Sequence, residues 1–276
     1  MSYSAELFPI ILAMTASGLL AGFLAGLMGI GGGIVIIPAL YVAFQAIGTS
    51  DAYLMHMTLG STLAIVFFTG SLSARSHHRR GAVWMPLVRR WAVWIVLGSL
   101  LGSMLAPYIK NQALVMLFAV LAFLMGLKFI FSIKLASEPH DEAKEPPKGG
   151  LHIVIIGVLS SLMGIGGATF TVPLMTHLGV NIIKAVGTAA TLGVVISFSA
   201  TLGFMWSGFG VEGLPALSIG FVNLLAVAII APLSMAMAPV GVMVAHKIPH
   251  RALSIIFGCF LIVTSIRMGA PDLLPF

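Results

Sequence analysis

No Asp, Glu, Lys or Arg occurs between Glu6 and Asp51, between Lys148 and Lys184, or between Glu212 and Lys247. Runs of that length without charge have no place on the surface of a water-soluble globule, so the solvent for most of this chain is hydrocarbon. Composition agrees. Hydrophobic residues make up 59% and charged residues 8%, where a soluble domain carries roughly 25%. The sequence therefore predicts an all-α polytopic membrane protein, whose first partner is the lipid bilayer. A soluble enzyme and a disordered scaffold are excluded. The excess of 14 Lys+Arg over 8 Asp+Glu reads as cytoplasmic loop charge, not as a nucleic-acid footprint. Cys259, the one cysteine, allows neither an internal disulfide nor a thiolate metal cluster and reads as a small packing residue.

A helix needs ~20 apolar residues to cross ~30 Å of hydrocarbon. The charges bracket such spans at 51–75, 91–109, 111–131, 184–212 and 252–266, and a further uncharged run, 213–246, contains Pro232 and Pro239. Residues 134–150, KLASEPHDEAKEPPKGG, are polar and rich in Pro and Gly. They read as a cytoplasmic linker between two halves, 1–133 and 151–276. The halves are repeats. GFLAGLMGIGGGIVIIP at 22–38 and GVLSSLMGIGGATFTVP at 157–173 agree at nine of 17 positions, and Gly60-Ser61 later falls opposite Gly187-Thr188.

The loops indicate that the repeats are inverted. Residues 75–90 hold five Arg, whereas the equivalent 207–214 holds only Glu212. The turn with Asp51 corresponds to one with Lys184, and Lys110 corresponds to Lys247, His250 and Arg251. Positive residues prefer the cytoplasm, so the halves favour opposite orientations, with Arg267 running against the pattern. Inversion requires an odd number of crossings in each half. Each Gly-rich segment should then be a helical hairpin folded at its glycines, followed by three transmembrane helices; the rival topology makes it one broken helix, with four crossings in each half and parallel repeats.

Gly29-Ile30-Gly31-Gly32-Gly33 and Gly164-Ile165-Gly166-Gly167 cannot be ordinary helix interior, where each Gly costs ~1 kcal/mol against Ala. Broken helices inside a bilayer are tolerated where they are buried in protein or line a wet cavity. The helix that restarts after the break presents free N–H groups and a partial positive charge, which favours an anion. Gly18, Gly22 and Gly26, by contrast, have the spacing of close helix packing. The substrate-binding candidates are Gly31, Gly32, Gly33, Gly166 and Gly167, with the hydroxyls of Ser61, Thr62 and Thr188. Hydroxyls can serve an oxyanion without bringing full charge into lipid. The alternative for any one of them, including Thr58 and Thr191, is a bond to its own helix's carbonyl four residues back. His56 and His177 read as interfacial, and Asn223 as an interhelical hydrogen-bonding residue.

GLMGIGGGIVIIPAL followed by HMTLGSTLA and RRGAV, and SLMGIGGATFTVPLM followed by KAVGTAAT, resemble the two halves of the sulfite exporter TauE/SafE family, from about Gly18 to Arg267. The resemblance implies a multi-pass bacterial inner-membrane permease for a small sulfur-containing anion, sulfite or an organosulfur compound such as sulfoacetate. Ala168 opposite Gly33 and Ala189 opposite Thr62 imply that the second half donates fewer polar groups than the first.

No Asp or Glu falls in mid-span, which argues against a carboxylate proton relay or a cation antiporter. An anion channel of the same fold is the alternative to a carrier. An intramembrane serine enzyme would need a nucleophile beside a base at membrane depth, and His56 and Ser61, five residues apart, are poorly placed on one helix face. No catalytic residue, metal site or cofactor is expected.

Overall fold

The computed structural model describes residues 12, 14–24, 32–131, 149–245 and 250–270. The polar linker at 134–148, the break at 25–31 and Lys247 lie outside the described residues. The fold is all-α, apart from one short β-hairpin. The first half contains α1 (Met14–Leu24), α2 (Gly33–Ala46), α3 (Leu54–Arg79), α4 (Met85–Leu105) and α5 (Asn111–Phe131). The second contains α6 (Leu151–Leu162), α7 (Ala168–His177), α8 (Ile182–Ser207), α9 (Leu224–Ala245) and α10 (His250–Gly269). Helices α3, α4, α5, α8 and α9 are long and apolar enough to cross a membrane. Pro232 and Pro239 lie inside α9, which continues through both. The β-hairpin, Ser218–Ile219 paired with Val222–Asn223, sits in the strap that joins α8 to α9.

Helix ends follow local chemistry. α2, α3 and α7 each stop at a glycine in the left-handed conformation: Gly48 (φ 74°), Gly81 (φ 68°) and Gly179 (φ 83°). At each, two backbone N–H groups turn back to the last carbonyls, as in Gly81 N–H to His78 O and Ala82 N–H to His77 O. That is the Schellman pattern, and it explains the glycine of RRGAV.

Close contacts fix the helix directions. Gly60 packs on Phe204 and Gly70 on Val194, so α3 and α8 run antiparallel. The rings of Phe67 and Phe198, 5.3 Å apart, lie between those contacts. Gly126 packs on Gly258 and Ile262, and Gly269 on Ala119, so α5 and α10 are antiparallel as well. Within both pairs, a helix meets its own repeat counterpart. Two further contacts link the halves. Gly18 and Gly22 of α1 lie against Ile230 and Ser234 of α9, while Gly98 and Gly102 of α4 lie against Val154 and Val158 of α6. The small-residue spacing read as packing is therefore packing at Gly18 and Gly22. Gly26 is outside the described residues.

α6 and α7, with 12 and 10 residues, reach about 18 and 15 Å, too short for ~30 Å of hydrocarbon. α6 runs parallel to α4, and α4 parallel to α8, where Ser99 meets Ser199 and Ser103 meets Gly203. α7 runs back along α8, with Gly167 against Ile196 at its start and a short turn to Ile182 at its end. The two arms thus form a hairpin folded at Met163–Gly167.

Exposed large apolar side chains such as Val93, Leu97, Leu101, Phe131, Leu202 and Trp206 point outward, as lipid-facing surfaces do. Cys259 is also exposed. This corrects the packing role expected for it: the neighbouring Gly258 makes the close contact with Gly126 and Ile130.

Candidate functional site

The two broken segments meet. A Cβ on Gly33 would lie 2.5 Å from the carbonyl oxygen of Gly164 and 3.4 Å from Cα of Ile165. Val66 of α3 touches both breaks, 3.3 Å from the Gly33 position and 3.1 Å from that of Gly166. Leu59, two turns earlier, lies 2.9 Å from the Gly164 position. Residues 32–37 and 160–167 are all buried, so neither the start of α2 nor the break at Met163–Gly167 opens its backbone to lipid.

Both restarting helices begin alike. Gly32 caps α2 with φ 75° and ψ −14°, and Gly167 caps α7 with φ 74° and ψ −16°. Only glycine adopts this left-handed conformation without strain. The N–H groups of Val35 and Ile36 bond Gly32 O, and those of Phe170 and Thr171 bond Gly167 O. No side chain caps either helix. The N–H groups that precede these in each first turn have no intrahelical acceptor, and each N-terminus carries roughly half a positive charge.

Among the expected site residues, Gly32, Gly33, Gly166, Gly167 and Thr62 lie at this junction. Thr62 shares the α3 face with Leu59 and Val66, its hydroxyl is fully buried, and it has no hydrogen-bond partner among the described residues. Gly31 is outside the described residues. Ser61 and Thr188 are elsewhere, and not together. Ser61 Oγ accepts from Asn223 N–H at 2.9 Å, and Thr188 Oγ1 accepts from Trp84 N–H at 2.9 Å. Each pins the start of the fourth helix of the opposite half. Gly70 faces Val194 on the antiparallel pair, so the level of Thr188 falls some four turns from Ser61, about 20 Å along α3. Replacing Ser61 by Ala or Thr188 by Val should cost about 1 kcal/mol each through the lost bond, read as lowered thermal stability of purified protein, with transport affinity unchanged. A loss of affinity without a loss of stability would return these hydroxyls to the ligand.

Thr58 and Thr191 bond the carbonyls of Leu54 and Gly187, one turn back. Asn223 serves the strap and α9. Its amide nitrogen donates to Ala216 O and Ser218 Oγ, and its oxygen accepts from Ala226 N–H. His177 is exposed at the end of α7. His56, read as interfacial, is buried against the protein, 2% exposed. Its Nε2 lies 2.9 Å from Ala106 O, and its ring lies tilted against Phe221 of the strap, with centroids 5.3 Å apart.

Sequence reasoning passed over Ser160 and Thr169. Both hydroxyls are buried without a partner among the described residues. Ser160 Oγ lies 3.6 Å from the Cβ position of Gly167, and Thr169 is in the first turn of α7. A buried hydroxyl left unsatisfied costs ~1–3 kcal/mol. The repeat positions equivalent to Ser160, Thr169 and Thr171 hold Ala25, Ile34 and Ile36. The second half is therefore the richer in hydroxyls at the junction, the reverse of what Ala168 and Ala189 suggested. The signal was present in those three alignment differences.

Comparison with known proteins bears on the whole architecture. The profile of the family described as sulfite exporter TauE/SafE matches residues 14–268. A probable membrane transporter protein of Haemophilus influenzae is 34% identical, over 95% of this chain and 99% of that protein. A probable membrane transporter protein of Bacillus subtilis is 28% identical over 72% of this chain and 79% of its own length, and one of Methanocaldococcus jannaschii is 24% identical over 91% and 92%. No solved structure matches the chain. A match of this extent, on a helical membrane fold with two glycine-broken segments in contact, means that the chain belongs to the sulfite exporter TauE/SafE family.

Proposed function

We propose that this membrane transport protein moves a small sulfur-containing anion, sulfite or an organosulfur compound such as sulfoacetate, across the bacterial inner membrane. The observation that carries the reading is the junction of Gly32–Gly33 with Gly164–Gly167. There, two helix N-termini without side-chain caps start from matching left-handed glycines. Their amides and partial positive charges suit an oxyanion. Burial of the Met163–Gly167 break and of the α2 start at Gly32–Gly33 favours a carrier, whose site opens to one side at a time, over a channel. The test is uptake of sulfite and of sulfoacetate into proteoliposomes, with counterflow to distinguish carrier from channel. Asp51→Ala and Glu212→Ala should each lower flux less than about threefold, because both carboxylates are exposed and exposed pairs contribute little. Flux abolished by Glu212→Ala would point to carboxylate coupling instead.

The domain reading accompanies this proposal: two repeats, 1–133 and 151–276, inverted in the membrane and joined by a cytoplasmic linker. Antiparallel packing of α3 on α8 and of α5 on α10 supports it, since antiparallel spanning helices cross a bilayer in opposite directions. Single-cysteine labelling in a Cys259→Ala background should place position 78 in the cytoplasm and position 212 outside. Outside labelling at both positions would remove the inverted arrangement.

A further inference from the structure

We propose that the hairpin junction is a site for a singly charged oxyanion, held by the hydroxyls of Thr62, Ser160 and Thr169 and by the open amides of α7. It admits hydrogensulfite or a simple monosulfonate and turns away doubly charged sulfate and sulfoacetate. The inference rests on the anion-transport reading above and narrows it.

The hydroxyls come first. Most of their neighbours are spent on their own helices: Thr58 on Leu54 O, Ser161 on Val158 O, Thr171 on Gly167 O and Ser197 on Gly193 O. Thr62, Ser160 and Thr169, 0%, 0% and 8% exposed, have no partner among the described residues. They come from three different elements and surround one break. Thr62 stands between the residues touching Gly164 and Gly166, Ser160 lies beside Gly167, and Thr169 sits one residue inside α7. Each O–H can donate to an oxygen of a ligand placed at the α7 N-terminus.

Charge then decides the ligand. Of the described segments that meet here, 32–50, 52–74, 149–183 and 185–211 contain no Lys or Arg, and α4, packed along α6, has only Arg89 and Arg90, exposed near its start and about 18 Å before Gly102, which faces Ser161. The only histidines in them are His56, bonded to Ala106 near the start of α3, the exposed His177, and His152, exposed at the start of α6. The positive potential therefore comes from helix ends. Two N-termini at roughly half a charge each balance about one elementary charge. A monoanion is matched. The second charge of a dianion would stand unpaired in a medium of low dielectric, where an uncompensated ion is penalised heavily. Hydroxyls and amides supply donors to a dianion but no further net charge.

The test uses methanesulfonate, which carries one charge, against sulfate and sulfoacetate, which carry two at neutral pH. In proteoliposomes, methanesulfonate should compete with sulfite uptake at least tenfold better than either dianion. Purified protein in detergent should be stabilised thermally by methanesulfonate and not by sulfate, a readout independent of flux. Thr169→Val and Ser160→Ala should each weaken methanesulfonate competition about tenfold, the worth of one charge-assisted hydrogen bond, while the protein keeps its thermal stability. Equal competition by sulfate or sulfoacetate would overturn the charge selection yet leave sulfur-anion transport standing. Unchanged affinity in both variants and in Thr62→Val would remove the site. Absence of sulfite flux in the parent protein would sink the transport reading instead, and with it this one unless the thermal shift by methanesulfonate persists.

Discussion

Gly33→Leu should abolish anion flux while the protein still inserts and purifies. The position of its Cβ lies 2.5 Å from Gly164 O, so any side chain drives the two breaks apart. Gly33 belongs to α2, and its φ is not among the positive values. The substitution is therefore a steric wedge, not a backbone strain. Gly167→Leu is the companion change and acts differently: its φ of 74° disfavours any L side chain, and a Cβ there would overlap the Ile196 side chain. Misplacement of a site by ~1 Å can cost ~100-fold in a bound reaction, and a carrier that must bind before it moves should suffer comparably. Uptake in proteoliposomes at matched protein content measures the effect. Wild-type flux from Gly33→Leu would show that the contact between breaks is packing alone.

Gly98→Leu should prevent stable accumulation altogether, and Gly22→Leu should do the same. A side chain on Gly98 would occupy the Val154 carbonyl, and one on Gly22 the backbone of Ser234. Both neighbours are main chain, so a rotamer change cannot relieve the overlap. Overpacking a well-filled core costs ~1–3 kcal/mol even where side chains can yield. Here whole helices must separate: α4 from α6 in one case, α1 from α9 in the other. Helix association in lipid depends on such close approach. The yield of detergent-extracted monodisperse protein is the readout. Because both contacts link the two halves, the losses should be alike. A normal yield from either variant would contradict the interface it probes.

The spans and the break at Met163–Gly167 were legible because their alternatives are costly. A charge in mid-bilayer and a run of glycines in a helix each carry a penalty that the sequence records locally. The positions of Ser61 and Thr188 were legible as equivalent, but not as separated. In an antiparallel pair, residues at like positions of the two helices come together only near its middle, and these two lie toward opposite ends of the α3–α8 pair. Their common feature is a common task, anchoring Asn223 and Trp84. His56 looked interfacial from its distance to Asp51. Phe221, brought across by a strap more than 160 residues further along the chain, covers it. Ser160 and Thr169 were overlooked because a shared glycine pattern directs attention to what the halves have in common. Their hydroxyls appear only where the halves differ.

The contacts between the halves also set an order of events as the chain leaves the ribosome. Ser234 Oγ donates to Gly18 O across 216 residues, and Asn223 reaches Ser61 across 162. The glycine face of α1 therefore has no mate until most of the polypeptide has been made. The early helices must wait in the lipid with bare backbone grooves, at risk of pairing with the wrong neighbour, until α9 arrives. A chain halted after the first half holds only unfinished surfaces, so the nascent protein closes late and all at once, with its last helices completing its first.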